Sequence, residues 1–102
     1  MERAAKPFVH HTIDAVDAVI FDPDGHLDPD HFDHYATFGA ARDAALSSIE
    51  LMLDEGDYDD EAHKSELLWM LKRLEPASSF ADLQRHRDYK AFLKRLAPAV
   101  AV

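Results

Sequence analysis

The sequence predicts an α+β domain in which a small antiparallel β-hairpin or meander, over about residues 8–37, is followed by three helices. The first third of the chain is rich in β-formers, and a helical period of three and four residues starts at Phe38. The two patterns follow one another instead of alternating, which favours helices packed on one face of a small sheet. We expect residues 1–102 to form a single domain, with residues 1–6 and 98–102 frayed.

The β portion is predicted from alternation and from turn residues. Over residues 16–21, Val16, Ala18 and Ile20 alternate with Asp17, Val19 and Phe21, which predicts a half-buried strand. The sequence Asp22-Pro23-Asp24-Gly25 predicts a turn, because proline presets φ at the first turn position and glycine accepts a positive φ. We expect a returning strand to begin at His26 and a further strand over residues 31–37.

The helices are predicted at about residues 38–55, 60–75 and 79–96, and Gly56 is well placed to end the first of them. The apolar stripes of the first two helices are Phe38, Ala41, Ala45, Ile49, Met52 and Leu53, and then Lys64 (by its stem), Leu67, Leu68, Leu71 and Leu74. The candidate N-caps are Asp59 or Asp60 for the second helix and Ser78 or Ser79 for the third. The polar stretch 84–87 is a possible interruption of the third helix.

The net charge of −9 is distributed unevenly along the chain. Residues 1–40 hold two bases against eight acids, residues 41–63 hold one base against eight acids, and residues 64–102 hold eight bases against four acids. Either the basic third pairs with the acidic part inside the molecule, or the acidic part is available to a basic protein partner. An acidic surface repels nucleic acid and anionic membranes, so direct binding to either is not expected.

The chain contains no cysteine, and its first residues do not resemble a signal peptide. No apolar run approaches the roughly 18 residues that a membrane span requires. We therefore expect a cytoplasmic protein whose fold is held together by burial alone.

Residues 19–28 resemble the first motif of the haloacid-dehalogenase-type phosphatases. The resemblance implies Asp22 as the nucleophile, Asp24 as the acid/base, and a magnesium ion held by both. It covers only ten of the 102 residues, and His26 stands where the family usually has threonine. Pro23 removes a backbone donor that such a loop needs. Since a hairpin turn accounts for the same residues, we do not expect an enzyme.

Histidines are concentrated near the N-terminus, interleaved with aspartates. Five of the seven lie within the first 34 residues: His10, His11, His26, His31 and His34. Imidazole and carboxylate ligands together suit zinc or another transition metal, whereas an exposed polar sheet face explains the same composition. No cofactor is assigned, and a His/Asp metal-binding domain is kept as one alternative function.

The segment Asp54–Glu61 contains six acids in eight residues. Asp59, Asp60 and Glu61 suit the N-terminus of the following helix, but Asp54 and Glu55 lie at the C-terminal end of the preceding helix, where the helix dipole disfavours anions. Such a row of carboxylates imitates a phosphate backbone and would fit the basic groove of a nucleic-acid-binding protein. The predicted partner-binding residues are Asp22, Asp24, Asp28, Asp30, Asp33, Glu50, Asp54, Glu55, Asp57, Asp59 and Asp60.

The sequence therefore predicts a small acidic protein that inhibits or modulates a basic-grooved, nucleic-acid-handling partner. Phage and mobile-element inhibitors of the anti-CRISPR and anti-restriction type are similar in size and charge, though not in sequence. A second alternative, besides the metal-binding domain, is a structural or regulatory domain that forms a homodimer through a helical face with Trp69 and Met70. Trp69 itself is expected in the core or at its rim, with a partner-facing anchor as the other interpretation.

Overall fold

A computed structural model describes residues 6–25, 27, 28 and 30–94. These residues form a three-stranded antiparallel sheet and four helices, so the predicted α+β fold class is confirmed. The elements are β1 (Phe8–Ile13), β2 (Val16–Phe21), β3 (Asp33–Tyr35), α1 (Phe38–Glu55), α2 (Glu61–Leu74), α3 (Phe80–Gln84) and α4 (Arg87–Leu93). Apart from Lys6, the termini that were predicted to fray lie outside the described residues.

The first hairpin turns at Asp14 and Ala15, which join β1 to β2. Both residues have positive φ, 52° and 66°, and the strands pair from Ile13 opposite Val16 onward. A two-residue turn with positive φ at both positions matches the twist of the strands that it joins. Neither residue is glycine, the usual marker of such a conformation, so the sequence did not predict this turn.

The turn predicted at residues 22–25 is present, but no returning strand follows it in the described residues. The Gly25 N–H donates to the carbonyl of Asp22 at 3.3 Å, and Gly25 has a φ of 68°. Leu27 then lies in an irregular loop with its side chain 1% exposed, and its N–H donates to the Asp22 carboxylate at 2.9 Å. The expected returning strand is therefore wrong at Leu27, and His26 lies outside the described residues.

The third strand is shorter than predicted and pairs with β1. Of the predicted span 31–37, only Asp33–Tyr35 is a strand, with His34 opposite Val9. The sheet order is therefore β2-β1-β3, with β1 in the centre. Chain order alone would have suggested a meander in which β3 lies beside β2.

Strand β2 is buried more completely than its alternating sequence predicted. All five residues from Val16 to Ile20 are buried, including Asp17. Helices α1, α2 and α3 all contact β2. Its outer edge is covered by Tyr89 of α4, whose hydroxyl accepts a hydrogen bond from the Val19 N–H at 3.0 Å and donates one to the Val19 carbonyl. The prediction of a half-buried strand is therefore wrong, because helices and a side chain cover the strand from several sides.

Helix α1 has the predicted bounds and its apolar stripe faces the core. The buried residues of α1 are Phe38, Ala41, Ala45 and Ile49. The Thr37 hydroxyl caps the N-terminus by accepting from the Ala40 N–H at 3.2 Å. Gly56 ends the helix in the left-handed conformation, with φ at 67°, as predicted.

The later helices differ in detail from the prediction. Asp60 is the N-cap of α2, as predicted, but the buried stripe of α2 is Leu67, Met70 and Leu74, and Leu68 is 40% exposed. The third predicted helix is divided into α3 and α4, which are separated at Arg85 and His86. None of the helices in the described part of the chain is long and apolar enough to cross a membrane.

Candidate functional site

The predicted contact residues fall into two groups that lie near different ends of the sheet. Helix α1 begins beside the Phe8 end of β1, where the rings of Phe8 and Phe38 are 6.0 Å apart. It runs toward the β1–β2 turn, where Ser48 bonds Asp17, and its 18 residues span about 27 Å. The loop acids, which lie in or next to the connection from β2 to β3, are Asp24, Asp28, Asp30 and Asp33. The junction acids, which surround the connection from α1 to α2, are Glu50, Asp54, Glu55, Asp57, Asp59 and Asp60.

All ten of these residues are exposed, but Asp22 is not. Asp22 is 4% exposed, and its carboxylate accepts a hydrogen bond from the Leu27 N–H at 2.9 Å. His34 Nε2 lies 3.7 Å from the same carboxylate oxygen. Asp22 therefore organises its loop from inside and does not belong to the exposed acidic surface. Asp22 is also the residue that the phosphatase resemblance implies as the nucleophile, and these contacts engage its carboxylate.

The junction acids lie on a tightly turned segment. Past Gly56, the Asp57 N–H donates to the Met52 carbonyl at 2.8 Å, which turns the chain back across the end of α1. The Asp60 carboxylate then accepts from the His63 N–H at 2.8 Å and starts α2. Asp54 and Glu55 lie in the last turn of α1, which has no basic residue. The segment therefore presents its carboxylates from a fixed backbone.

Among the loop acids, Asp28 also has a local structural role. Its carboxylate accepts hydrogen bonds from the Asp30 N–H and from His31 Nδ1, both at 2.9 Å. The hydrogen bond from Asp30, followed by that from His31, lowers the pKa of Asp28 below its ordinary value. A turn of this kind explains Asp28 without a partner, so Asp28 carries less functional information than the junction acids.

The basic C-terminal third forms ion pairs with its own acids. Arg73 binds Asp88 at 2.8 Å and Arg85 lies 3.6 Å from Asp82. The hydrogen bond from Arg73 is the main reason why the pKa of Asp88 is lowered. One interpretation of the charge distribution was that the basic third pairs with the acidic part of the molecule. These two ion pairs do not do so, because neither involves a junction acid or a loop acid.

Trp69 lies at the rim of the core, as predicted. Its ring packs against Tyr89 and Phe92 with centroid distances of 6.4 and 5.8 Å, and its Nε1–H donates to Asp88 at 2.8 Å. Met70, which the homodimer hypothesis placed on an exposed helical face, is fully buried. The proposed dimer face is wrong in this respect, because α2 turns Met70 toward the core.

A buried polar cluster centred on Asp17 was not predicted. Its carboxylate accepts hydrogen bonds from His10 Nε2 at 2.6 Å, the Thr12 hydroxyl at 3.0 Å and the Ser48 hydroxyl at 2.9 Å. Burial raises the pKa of Asp17, but the hydrogen bonds from His10, Ser48 and Thr12 outweigh burial, so the pKa is lowered overall. The only signal in the sequence was an aspartate inside an apolar strand.

This cluster joins elements and does not have the arrangement of a nucleophile activated by a base. Ser48 and His10 both donate to the same carboxylate, whereas nucleophilic catalysis needs the serine bonded to the histidine and the histidine to the acid. His11, the neighbour of His10, stacks on Phe32 at 4.4 Å. Burial, followed by the charge of His10, lowers the pKa of His11, and Asp17 partly opposes this shift.

The described histidines have separate partners. His10 bonds Asp17, His31 bonds Asp28, and the Nδ1–H of His34 donates to the Phe32 carbonyl at 3.0 Å. Within the described residues, no three histidine or acidic side chains come together in a group that could hold a metal ion. His26 lies outside these residues.

Comparison with known proteins found no matching family model, no matching curated protein and no matching solved structure. Any functional proposal for this chain therefore depends on its own geometry and charge. The junction acids are the feature that local folding explains least.

Proposed function

We propose that this chain is a small protein-binding domain whose junction acids bind a basic groove on a partner protein that handles nucleic acid. The partner would be inhibited or modulated because the carboxylates occupy the site of the phosphate backbone. The observation that carries the proposal is the position of Asp54 and Glu55, which are exposed in the last turn of α1.

Helix stability opposes this placement. The C-terminal end of a helix carries a partial negative charge, so each acid in the last turn costs roughly 0.3–1 kcal/mol at low ionic strength. Glu50 lies one turn before Asp54, and such a like-charge pair costs a further 0.2–0.5 kcal/mol or so. The structure also provides no basic residue in the last turn that would offset these costs. Binding to a cationic surface gives a physical reason for keeping these residues.

The spacing of these residues suits an imitation of phosphate. Glu50 and Asp54 are separated by one helical turn, about 6 Å along the axis. Asp57 and Asp59 follow Gly56 in the chain, on a segment that backbone and side-chain hydrogen bonds hold in place. A preorganised row of charge binds with less ordering cost than a flexible acidic tail.

The test uses the double variant Asp54→Asn/Glu55→Gln. Removing two charges from the end of α1 should raise the free energy of unfolding by about 0.6–2 kcal/mol, because the dipole penalty of each is relieved. The same variant should capture less of the nucleic-acid-binding proteins that the native chain retains from a cell lysate, as quantified by mass spectrometry. Duplex DNA added as a competitor should release those proteins from the native chain.

Glu61→Gln is the matched control, because Glu61 lies in the first turn of α2, where the helix dipole favours an acid. This control should lose a few tenths of a kcal/mol of stability and keep its captured proteins. Equal capture by the native chain and the double variant, or capture that DNA does not displace, would contradict the proposal.

A further inference from the structure

His63 ties the segment of the junction acids to the β1–β2 turn. Its Nε2 lies 2.9 Å from the carbonyl oxygen of Ala15, and its Nδ1 lies 3.0 Å from the backbone nitrogen of Asp59. Its own N–H donates to the Asp60 carboxylate at 2.8 Å. One half-buried side chain thus connects the hairpin, the linker between the two long helices, and the first turn of α2.

These two ring contacts fix the form of the imidazole. A backbone N–H can only donate, so His63 Nδ1 must accept from Asp59 and carry no proton. A carbonyl can only accept, so Nε2 must carry the proton that it donates to Ala15. The contacts therefore require the neutral Nε2–H tautomer. An imidazolium has a proton on both nitrogens and cannot accept from the Asp59 N–H.

We propose that neutral His63 is a latch that holds Asp59 and the adjoining junction acids against the β1–β2 turn, and that protonation of His63 releases it. This inference rests in part on the proposed function, because release would weaken binding to a basic partner. Protonation would weaken binding in two ways: it frees a preorganised segment, and it adds a positive charge among the carboxylates.

Charged residues lie on each element next to this latch. The hairpin contributes Asp14, next to the Ala15 carbonyl, and the end of α1 contributes Glu55. The remaining groups are Asp57, Asp59 and Asp60 on the linker and Glu61, Lys64 and Glu66 on α2. Most of these groups are carboxylates, and uptake of a proton at Nδ1 would remove the hydrogen bond from the Asp59 N–H.

The latch is tested first on the free protein by NMR. At about pH 8, above the usual range of histidine titration, the imidazole nitrogens of His63 should show the neutral Nε2–H tautomer. The Asp59 amide should exchange more slowly than an unprotected amide at the same pH, and this protection factor should fall by up to about tenfold, the effect of one ordinary hydrogen bond, as His63 is protonated. A protection factor of Asp59 that stays the same when His63 is protonated, or an Nδ1–H tautomer, would overturn the proposal.

Two substitutions separate the contacts of the ring. His63→Asn keeps an acceptor near the position of Nδ1, so Asp59 should remain protected at every pH between about 5 and 8, the range in which histidine titrates. His63→Gln places its amide near Nε2 and lacks the acceptor for Asp59, so protection should be low throughout that range. His31→Asn alters an exposed histidine on Asp28 and should leave the pH dependence of Asp59 intact. Identical behaviour of the Asn and Gln variants would contradict a latch that depends on Nδ1.

The binding experiment distinguishes failure of the latch from failure of the proposed function. Capture of nucleic-acid-binding proteins by the native chain should fall at about pH 5.5, where ordinary histidines are mostly protonated, and capture by His63→Asn should fall less. If protection of the Asp59 amide depends on pH but capture does not, the latch is supported and the role of the junction acids is contradicted. If protection of the Asp59 amide does not change with pH, the latch is contradicted, whatever the capture experiment shows.

Discussion

At the scale of single residues, Asp17 shows how a buried charge is accommodated. The carboxylate is removed from water, and three side-chain donors replace the lost solvation. Two donors come from β1 and one, Ser48, comes from α1, 31 positions away in sequence. The sequence could show an acid in an apolar strand, but a donor so distant along the chain becomes visible only in the folded structure.

The variant Asp17→Asn should destabilise the fold by about 1–3 kcal/mol at neutral pH, because an amide cannot accept from all three donors. The native dependence on pH follows from the lowered pKa of Asp17. The charged carboxylate stabilises the fold above its ordinary pKa of 3.8, and this contribution is lost as the pH falls below that value. Urea unfolding at about pH 7 and pH 3, above and below the ordinary carboxyl pKa of 3.8, should show a smaller loss of stability for the variant than for the native chain.

Asp43→Asn is the control for this experiment. Asp43 is an exposed acid whose ion pair is with the adjacent Arg42, so its removal should change stability by less than about 0.5 kcal/mol. If the two variants lose the same amount of unfolding free energy between the two pH values, Asp17 does not make the pH-dependent contribution inferred from its hydrogen bonds.

At the scale of elements, local signals were sufficient to predict the bounds of α1 but not the strand order of the sheet. The period from Phe38 and the stop at Gly56 gave the bounds of α1, because both signals act within a few residues. The sheet order depends on which edges are left open, and this is decided by distant contacts. Tyr89, 70 positions beyond Val19, occupies the outer edge of β2. β3 pairs with the other edge of the hairpin, on β1.

The same difference between local and distant signals applies to the candidate site. The junction acids were predicted from their sequence, because the conflict between an acid and a helix C-terminus is local. The burial of Asp22 and the two contacts of the His63 ring were not predicted. Both depend on the loop and hairpin backbone, which no periodic pattern describes.

Removing the hydroxyl of Tyr89 tests the role of this edge contact. Tyr89→Phe keeps the buried ring but leaves the N–H and the carbonyl of Val19 without their partner, so we expect a loss of about 2–4 kcal/mol in the free energy of unfolding. Burial raises the pKa of Tyr89, which keeps the hydroxyl protonated and able to donate at neutral pH. Denaturant unfolding measures the loss, and light scattering during unfolding should show more association through the opened edge of β2.

Tyr58→Phe provides the comparison for this prediction. Tyr58 is half-buried, with Lys64 Nζ 5.6 Å from its ring, and the ring is retained in the variant. Its stability should change by less than about 0.5 kcal/mol. A loss of the same size in both variants would show that the hydroxyl of Tyr89 contributes nothing particular to the edge.

At the scale of the whole molecule, the charge distribution opposes folding and, under the proposed function, would favour binding. The described ion pairs Arg73–Asp88 and Arg85–Asp82 stay within the basic third, and the junction acids remain exposed at the far end of α1. With a net charge of −9, the compact chain repels itself more than the unfolded chain does. A partner with a basic groove would relieve that repulsion, so the same carboxylates that destabilise the free protein would stabilise the complex.

Salt should therefore act with opposite signs on the two processes. Between about 20 and 300 mM sodium chloride the Debye length falls from roughly 20 to 6 Å, so self-repulsion weakens and the midpoint of thermal unfolding should rise. Over the same range, capture of nucleic-acid-binding partners should fall steeply, because their attraction to the junction acids is screened. Asp54→Asn/Glu55→Gln should show a smaller dependence on salt in both measurements. Sucrose, which favours compact states without screening charge, is the control for non-electrostatic effects of the solute. Capture that is independent of salt would mean that the partner is not held by the junction acids, even if the unfolding midpoint rises as expected.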